Sequence, residues 1–203
     1  MARAMMSRMQ PPATEDWLAP FADRLRQAGE RLLDIGCGPG LDATYLAGRG
    51  FQVAAYDRRD PGWASEGHPR VAFLRADVRW PPFRDGAFDI AVASLSLHYL
   101  PWPETVAAFT AAADCLRPGG VFLLRVNASD DYNHGAGEGE EIEPGFFRRP
   151  PDSGGWSETK RFFTEADVRA VLPPGLTVEH LAHRTIRRYK EPKRVWECLA
   201  RKD

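Results

Sequence analysis

Residues 31–40 read Arg-Leu-Leu-Asp-Ile-Gly-Cys-Gly-Pro-Gly. A carboxylate, Asp34, is followed by glycines at 36, 38 and 40, with Cys37 between the first two. Glycine has no Cβ and tolerates positive φ, so a loop of this kind lets backbone approach a ligand closely. A helical pattern (Leu41, Thr44, Tyr45, Leu46) begins at once. Its first N–H groups have no partner inside the helix and can bind a polar ligand. The spacing differs from the dinucleotide fingerprint G-x-G-x-x-G, because the glycines alternate and position 41 is Leu. Pro39 removes one N–H donor, and Asp34 adds negative charge where a pyrophosphate would sit. The loop therefore suits a cationic ligand better. The plain alternative is an ordinary glycine turn in an α/β protein.

Other polar residues fall at the carboxyl ends of apolar runs. In open α/β sheets these ends carry the ligand site. Asp57, followed by Arg58, closes the run from Phe51 to Tyr56, where a carboxylate can accept from both hydroxyls of a ribose. Dehydrogenases use the same device, and a surface aspartate capping the next turn is the simpler alternative. Asp77 and Val78 follow the run Val71–Arg75; Ser94 follows Phe88–Ala93. Asp89 opens that last run, at the wrong end for a ligand, and reads as structural. His98 lies just beyond Ser94 and is the best-placed base, with an ordinary pKa near about 6.5. A packing histidine would look the same. Tyr132 and His134 stand in the segment after the fifth run and are candidates for acceptor contact, or simply an exposed loop. His68, His180 and His183 have no chemical context. The histidines do not cluster with Cys37, Cys115 or Cys198, and no C-x-x-C pair occurs. No metal site is expected.

These positions need a scaffold. The chain has 203 residues and a net charge of −1, enough for one α/β domain and without a global basic field for nucleic acid or membranes. Three scattered cysteines argue for a reducing, cytoplasmic compartment. No apolar stretch approaches the roughly 20 residues of a membrane span. Residues 1–13 read as a disordered leader and 14–203 as a single domain. A helix over 14–28, capped by Thr14, precedes the strand 31–35 and a helix over 41–49. Strands 51–56, 71–75 and 88–93 follow, then a helix over 103–116 and a strand 121–126. Apolar runs separated by helices are what a parallel sheet covered on both faces produces. Residues 127–157 are rich in glycine, proline and charge and read as a long substrate-side loop or lid, made mobile by Gly135, Gly137 and Gly139. Thr164 and Asp167 form a capping box. Strands over 176–186 and 194–200 close the chain as a hairpin. The basic run Arg184, Arg187, Arg188, Lys190, Lys193 and Arg194 reads as a solvated hairpin.

Asp34-Ile35-Gly36-Cys37-Gly38-Pro39-Gly40 resembles motif I of the class I S-adenosylmethionine-dependent methyltransferases. Phe88–Ser94 resembles their motif IV strand, and Arg117-Pro118-Gly119-Gly120 resembles the turn before their fifth strand. The resemblance covers residues 30–127, and the small tellurite-resistance-like methyltransferases are the subgroup it suggests. It implies a Rossmann-like α/β fold with a seven-stranded, mostly parallel sheet in the order 3-2-1-4-5-7-6, strand 7 antiparallel. It implies S-adenosylmethionine as cofactor, held by Asp34, Gly36, Cys37, Gly38, Asp57 and Arg58, with Asp77 and Val78 on the adenine and Ser94 at the methionine part. Base-methylating enzymes carry Asn/Asp-Pro-Pro-Tyr/Phe, or Pro-Cys, where this chain has Ser94-Leu95-Ser96-Leu97. The resemblance thus implies methyl transfer to a small molecule by a monomer or homodimer. A nicotinamide-dependent dehydrogenase and a non-catalytic cofactor-binding partner subunit are the competing readings.

Overall fold

The computed structural model describes residues 17–60, 68–149, 158–187 and 189–203. Thr14 and the expected leader lie outside the described residues. The N-terminal helix appears as a 3-10 turn, Ala19–Phe21, running into α1, Ala22–Ala28. Then follow β1 (Arg31–Ile35), α2 (Leu41–Gly48), β2 (Gln52–Asp57), β3 (Val71–Arg75), β4 (Phe88–Ser94), α3 (Trp102–Asp114) and β5 (Leu116–Asn127). The second half holds β6 (Glu140–Glu143), β7 (Phe146–Arg148), β8 (Thr159–Arg161), α4 (Glu165–Val171), β9 (Leu176–Ile186) and β10 (Lys193–Lys202).

Seven strands form one sheet in the order β3-β2-β1-β4-β5-β10-β9. β1 pairs in parallel with β2 and β4, β2 with β3, and β4 with β5. β10 runs antiparallel to both β5 and β9. This is the expected doubly wound order with its antiparallel strand next to the last. Both faces are covered. Leu33, Ile35, Tyr56, Phe122 and Leu124 pack under Ala108, Phe109, Ala112, Val168 and Val171 of α3 and α4. Leu32, Ile90, Val92 and Leu123 pack under Trp17, Phe21, Leu25, Ala43, Leu46 and Ala47 on the other side. Two-sided burial is why the strands read as continuous apolar runs. The expected capping box is present: Asp167 N–H donates to Thr164 Oγ1 at 3.2 Å, and Thr164 N–H to Asp167 Oδ2 at 2.8 Å.

Two boundaries differ from the sequence reading. α3 stops at Asp114, and Arg117-Pro118-Gly119-Gly120 already lies within β5. The register with β4 jumps from Phe88↔Leu116 to Ile90↔Val121, so these residues form a bulge. Gly120 fits it because a Cβ there would lie 2.9 Å from Arg117 O and 3.0 Å from Asp89 O. The segment after β5 is also more regular than a loop. A 3-10 turn, Tyr132–His134, precedes a three-stranded antiparallel sheet in the order β6-β7-β8. Its glycines answer steric demand as well as turning. Gly139, φ 89°, lies against the Arg148 carbonyl, and a Cβ on Gly145, φ 70°, would meet Phe162 O at 2.7 Å.

Asp89 ties the amino ends of the strands together. It accepts from Arg31 N–H at 2.9 Å, Glu30 N–H at 3.1 Å, Arg31 Nη2 at 2.8 Å and Arg117 Nε at 2.6 Å. Burial disfavours its charge, but the two guanidiniums outweigh it and hold the carboxyl below the usual range. Its contribution to stability is therefore full above the ordinary carboxylate pKa, about 3.9, and is lost as pH falls through the lower folded value. Asp89→Ala is expected to cost about 1.5–3 kcal/mol. The lower end applies because Arg31 and Arg117 are 49% and 40% exposed and stay hydrated. Thermal unfolding should show a melting temperature about 3–12 °C lower, and an unchanged value would remove the structural role.

Candidate active site

The carboxyl ends of β1 and β2 meet at the glycine loop. Gly36, Gly38 and Gly40 all have positive φ, 63°, 51° and 74°. Gly40 is the N-cap of α2 and brings no side-chain cap to its free N–H groups. Gly36 is glycine because a Cβ would lie 2.5 Å from Ser96 Cβ and 3.2 Å from Val78 Cγ1. Gly38 is different: nothing lies within 4 Å of its Cβ position, which faces open space. Asp57 braces this loop. Its Oδ2 accepts from Gly38 N–H and its Oδ1 from Arg59 N–H, both at 3.0 Å. Cys37 N–H donates to Tyr56 O at 3.0 Å. Burial, with Asp34 and Asp57 nearby, pushes the Cys37 thiol above its usual range. Gly36, Val78, Gly38, Cys37 and Asp57, from three separate segments, are thus brought together.

Asp34 is only 2% exposed, and its Oδ2 has no hydrogen-bond partner. Burial, then Asp42, push its carboxyl well above the usual range, while the Ala43 N–H supports it. In the chain by itself, burial thus works against a negative charge at this position. Ser94 is engaged too: its Oγ accepts from Arg125 Nη2 at 2.7 Å. Arg125 is 2% exposed, opposite Ser94 in register, and its guanidinium lies 3.9 Å from the Trp17 ring. Trp17 Nε1 in turn donates to Asp42 at 3.2 Å. Just past Ser94, Leu95 has φ 58°, a strained value for a leucine, and Ser96 Oγ donates to Ile35 O at 2.6 Å. Sequence reading missed Arg125, although one arginine interrupting the apolar run Val121–Val126 is a signal.

Asp77 is held by Arg79, whose Nη2 reaches Oδ2 at 2.9 Å while its Nε and backbone N–H reach Oδ1 at 3.0 Å. Arg79 Nη1 also reaches Glu104 at 3.1 Å. The Arg79 hydrogen bond keeps the Asp77 carboxyl below the usual range. Arg58 lies within electrostatic reach of Asp77, and its carbonyl accepts from Arg75 Nε at 2.9 Å.

His98 is 1% exposed and its Nδ1 has no partner. Burial, then the cations Lys193 and Lys160, hold the imidazole neutral. The Tyr99 ring lies beside it, tilted by 56°, with ring centroids 4.3 Å apart. The Tyr99 hydroxyl is raised by burial and lies within electrostatic reach of Tyr189, Arg149 and Asp57. Tyr132 is 69% exposed. His134 Nε2 lies 3.1 Å from Glu191 O, and its ring meets Tyr189 edge-on, so it leans on the β9–β10 connection. A hollow of about 320 Å³ at the amino ends of the strands, lined by Arg31, Gln52, Val71 and Phe88, is far from all of these residues.

The open space at Gly38 gives a direct test. Gly38→Ala should cost the unliganded chain about 1 kcal/mol for its positive φ yet weaken binding of S-adenosylhomocysteine about tenfold by filling ligand space. Gly137→Ala, equally open at φ 75°, should carry the strain without the loss of affinity. Calorimetric titration of both variants checks this; equal affinities would mean that Gly38 faces no ligand.

The methyltransferase-domain family profile matches residues 5–170. A stretch of 107 residues is 36% identical to 27-O-demethylrifamycin SV methyltransferase of Amycolatopsis mediterranei, covering 48% of this chain and 39% of that protein. The chain spans about half or less of the length of the first such relatives it matches. A SAM-dependent methyltransferase of Methanosarcina mazei superposes with a TM-score of 0.76 at 21% identity, covering 90% of this chain and 97% of that one. The 1,6-didemethyltoxoflavin-N1-methyltransferase of Burkholderia thailandensis, solved with S-adenosylhomocysteine, superposes with a TM-score of 0.68 at 24% identity, covering 93% and 79%. These superpositions speak for the fold. With the profile spanning most of the chain, they make this protein a member of the class I S-adenosylmethionine-dependent methyltransferase superfamily.

Proposed function

We propose that the chain transfers a methyl group from S-adenosylmethionine to a small-molecule acceptor. The observation that carries this is the glycine loop at the carboxyl ends of β1 and β2, open at Gly38 and braced by Asp57. The residues fit the cofactor in two further ways. The unpartnered Oδ2 of Asp34 is a buried acceptor awaiting a donor, and the bare N-cap at Gly40 leaves α2 N–H groups for polar atoms. When bound, S-adenosylmethionine supplies a methyl group already activated on a sulfonium. The protein's tasks are then alignment and exclusion of water.

Each Asp57 oxygen accepts one backbone N–H and retains a lone pair for a ribose hydroxyl. Gly38 leaves room for that ribose. Asp77 becomes an acceptor for the adenine amino group when Arg79 gives way. Burial and the nearby lysines hold His98 neutral and disfavour its protonation, so its part is to position the acceptor just beyond Ser94. The named relatives that methylate a rifamycin and a toxoflavin precursor support a small acceptor. The free cysteines Cys37, Cys115 and Cys198 suit a reducing compartment such as the cytoplasm. Among the described residues, no helix is long and apolar enough to cross a membrane.

Parallel calorimetric titrations with S-adenosylhomocysteine and with NAD, followed by a screen of small acceptors with radiolabelled cofactor, test the proposal. Binding of S-adenosylhomocysteine and transfer of label by the purified chain alone are expected. Binding of NAD in place of S-adenosylhomocysteine would overturn the cofactor reading. Cofactor binding without transfer across the screen would favour a non-catalytic subunit.

A further inference from the structure

A second group of charged side chains surrounds His98, and the cofactor loop does not account for it. β8 runs beside the segment that leaves β4: Arg161 N–H donates to His98 O at 2.7 Å, and Thr159 Oγ1 donates to Tyr99 O at 3.2 Å. Lys160, between them, is therefore anchored next to the His98–Tyr99 turn. From the other side, β10 begins with Lys193, whose Nζ donates to Asp131 Oδ2 at 2.9 Å.

The cations here are not balanced alike. Lys193 and Asp131 form a buried pair, 7% and 0% exposed. Arg161, 3% exposed, is ion-paired with Glu143 at 2.9 Å. Lys160 instead donates to a neutral group, the His134 carbonyl, at 3.0 Å. An ammonium has three N–H donors and no acceptor capacity, so among the described residues two donors remain for another group. Burial, then Lys193, lower its pKa to about 8, with Arg149 acting in the same sense and Asp131 and Glu138 against it. Among the described residues no carboxylate lies at hydrogen-bond distance from this half-buried ammonium, which leaves room for an incoming anion. His98, whose carbonyl accepts from Arg161 N–H, also keeps an unpartnered Nδ1. The same segment reaches the cofactor loop, because Ser96, two residues before His98, donates its Oγ–H to Ile35 O at 2.6 Å.

We infer that Lys160 holds a negatively charged oxygen group of the methyl acceptor, so that the acceptor is an organic acid, a carboxylate or a phenolate, rather than an amine. The inference rests on the methyl-transfer reading above and narrows its substrate class. The chemistry balances without a base. A lone pair on the ionised oxygen forms the new O–C bond, and the C–S bond breaks with its pair going to sulfur. The anion and the sulfonium become a neutral ester or ether and a neutral thioether. Lys160 then faces a neutral product, which favours release.

The test is binding of matched probes by calorimetry in the presence of S-adenosylhomocysteine. Benzoate, 2-naphthoate and decanoate are each compared with their primary amides. A second arm compares 2,4-dinitrophenolate with 2,4-dinitroaniline, and the arm showing the preference identifies the kind of oxyanion. At least one anion should bind the wild-type chain about tenfold or more tightly than its neutral partner. The preference should hold well below about pH 8 and vanish well above it, where Lys160 has lost its proton. It should disappear in Lys160→Met and persist on both sides of that pH in Lys160→Arg, whose charge does not titrate there. The pH arm needs no variant, so a folding defect cannot mask the result. No preference in either arm, a preference that survives Lys160→Met, or no binding of any anion overturns the inference. The same samples report S-adenosylhomocysteine affinity: retained affinity with no anion preference sinks only this inference, whereas lost affinity sinks the cofactor reading.

Discussion

Replacing Asp57 with alanine should weaken binding of S-adenosylhomocysteine by roughly ten- to a hundredfold. Two losses combine. The carboxylate that would accept from the ribose hydroxyls is removed, and hydrogen bonds to a charged group are worth about 1.5–3 kcal/mol. The brace on the loop is removed as well, because Asp57 Oδ2 holds Gly38 N–H at 3.0 Å. Asp57→Asn separates the two. Its amide oxygen can keep one backbone bond while the negative charge is gone, so its affinity should fall between wild type and Asp57→Ala. Calorimetry on folded samples measures all three. Affinity equal to wild type in Asp57→Ala would remove this residue from the site and reopen the plain-turn reading of the glycine loop.

The largest expected effect on stability belongs to Asp131. Its side chain is fully buried, with Oδ2 on Lys193 Nζ at 2.9 Å and Oδ1 on Arg194 N–H at 2.8 Å. Its carbonyl also accepts from His134 N–H at 3.0 Å and Ala136 N–H at 3.2 Å, so it anchors the turn that leads into β6. Asp131→Asn is nearly isosteric but leaves Lys193 as an uncompensated buried charge. Breaking a buried pair in this way costs about 3–5 kcal/mol. For a chain of this size the melting temperature should drop by about 6–20 °C. Removing the orphaned charge too, in Asp131→Asn/Lys193→Met, should recover a substantial part of the loss, since the two residues act as a unit. Thermal unfolding of the single and double variants tests this. A single variant that melts with the wild type, or a double variant no better than the single, would show that the pair does not hold the turn.

Local pattern made the main sheet legible. Strands buried on both faces must be apolar throughout, so β1, β2, β4 and the inner part of β5 stand out as runs in the sequence. Strand ends follow from those runs, and ligands gather at carboxyl ends, which is why Asp57 is legible in the sequence as a neighbour of the glycine loop. The capping box at Thr164 was equally readable, because its partners are three residues apart. The strand order came with the family resemblance rather than from the runs themselves.

The small sheet stayed hidden for the opposite reason. β6 reads Glu-Glu-Ile-Glu and is largely exposed, so no apolar alternation marks it. The start of β5 was hidden by Pro118 and two glycines, which signal a turn but here shape a bulge. Side-chain engagement was beyond local reading altogether. Asp77 looks like an available acceptor in sequence, yet Arg79 occupies it. Ser94 looks free, yet Arg125 lies on it, 31 residues away. By itself the sequence determined where the chain is apolar, where it turns and where backbone can approach a ligand, since those depend on neighbouring residues. Which charges meet, as Lys193 and Asp131 do across 62 positions, and which one is left facing a neutral carbonyl, as Lys160 is, was decided only by the tertiary structure, because a buried charge takes its partner from whatever the closing chain brings within hydrogen-bond distance.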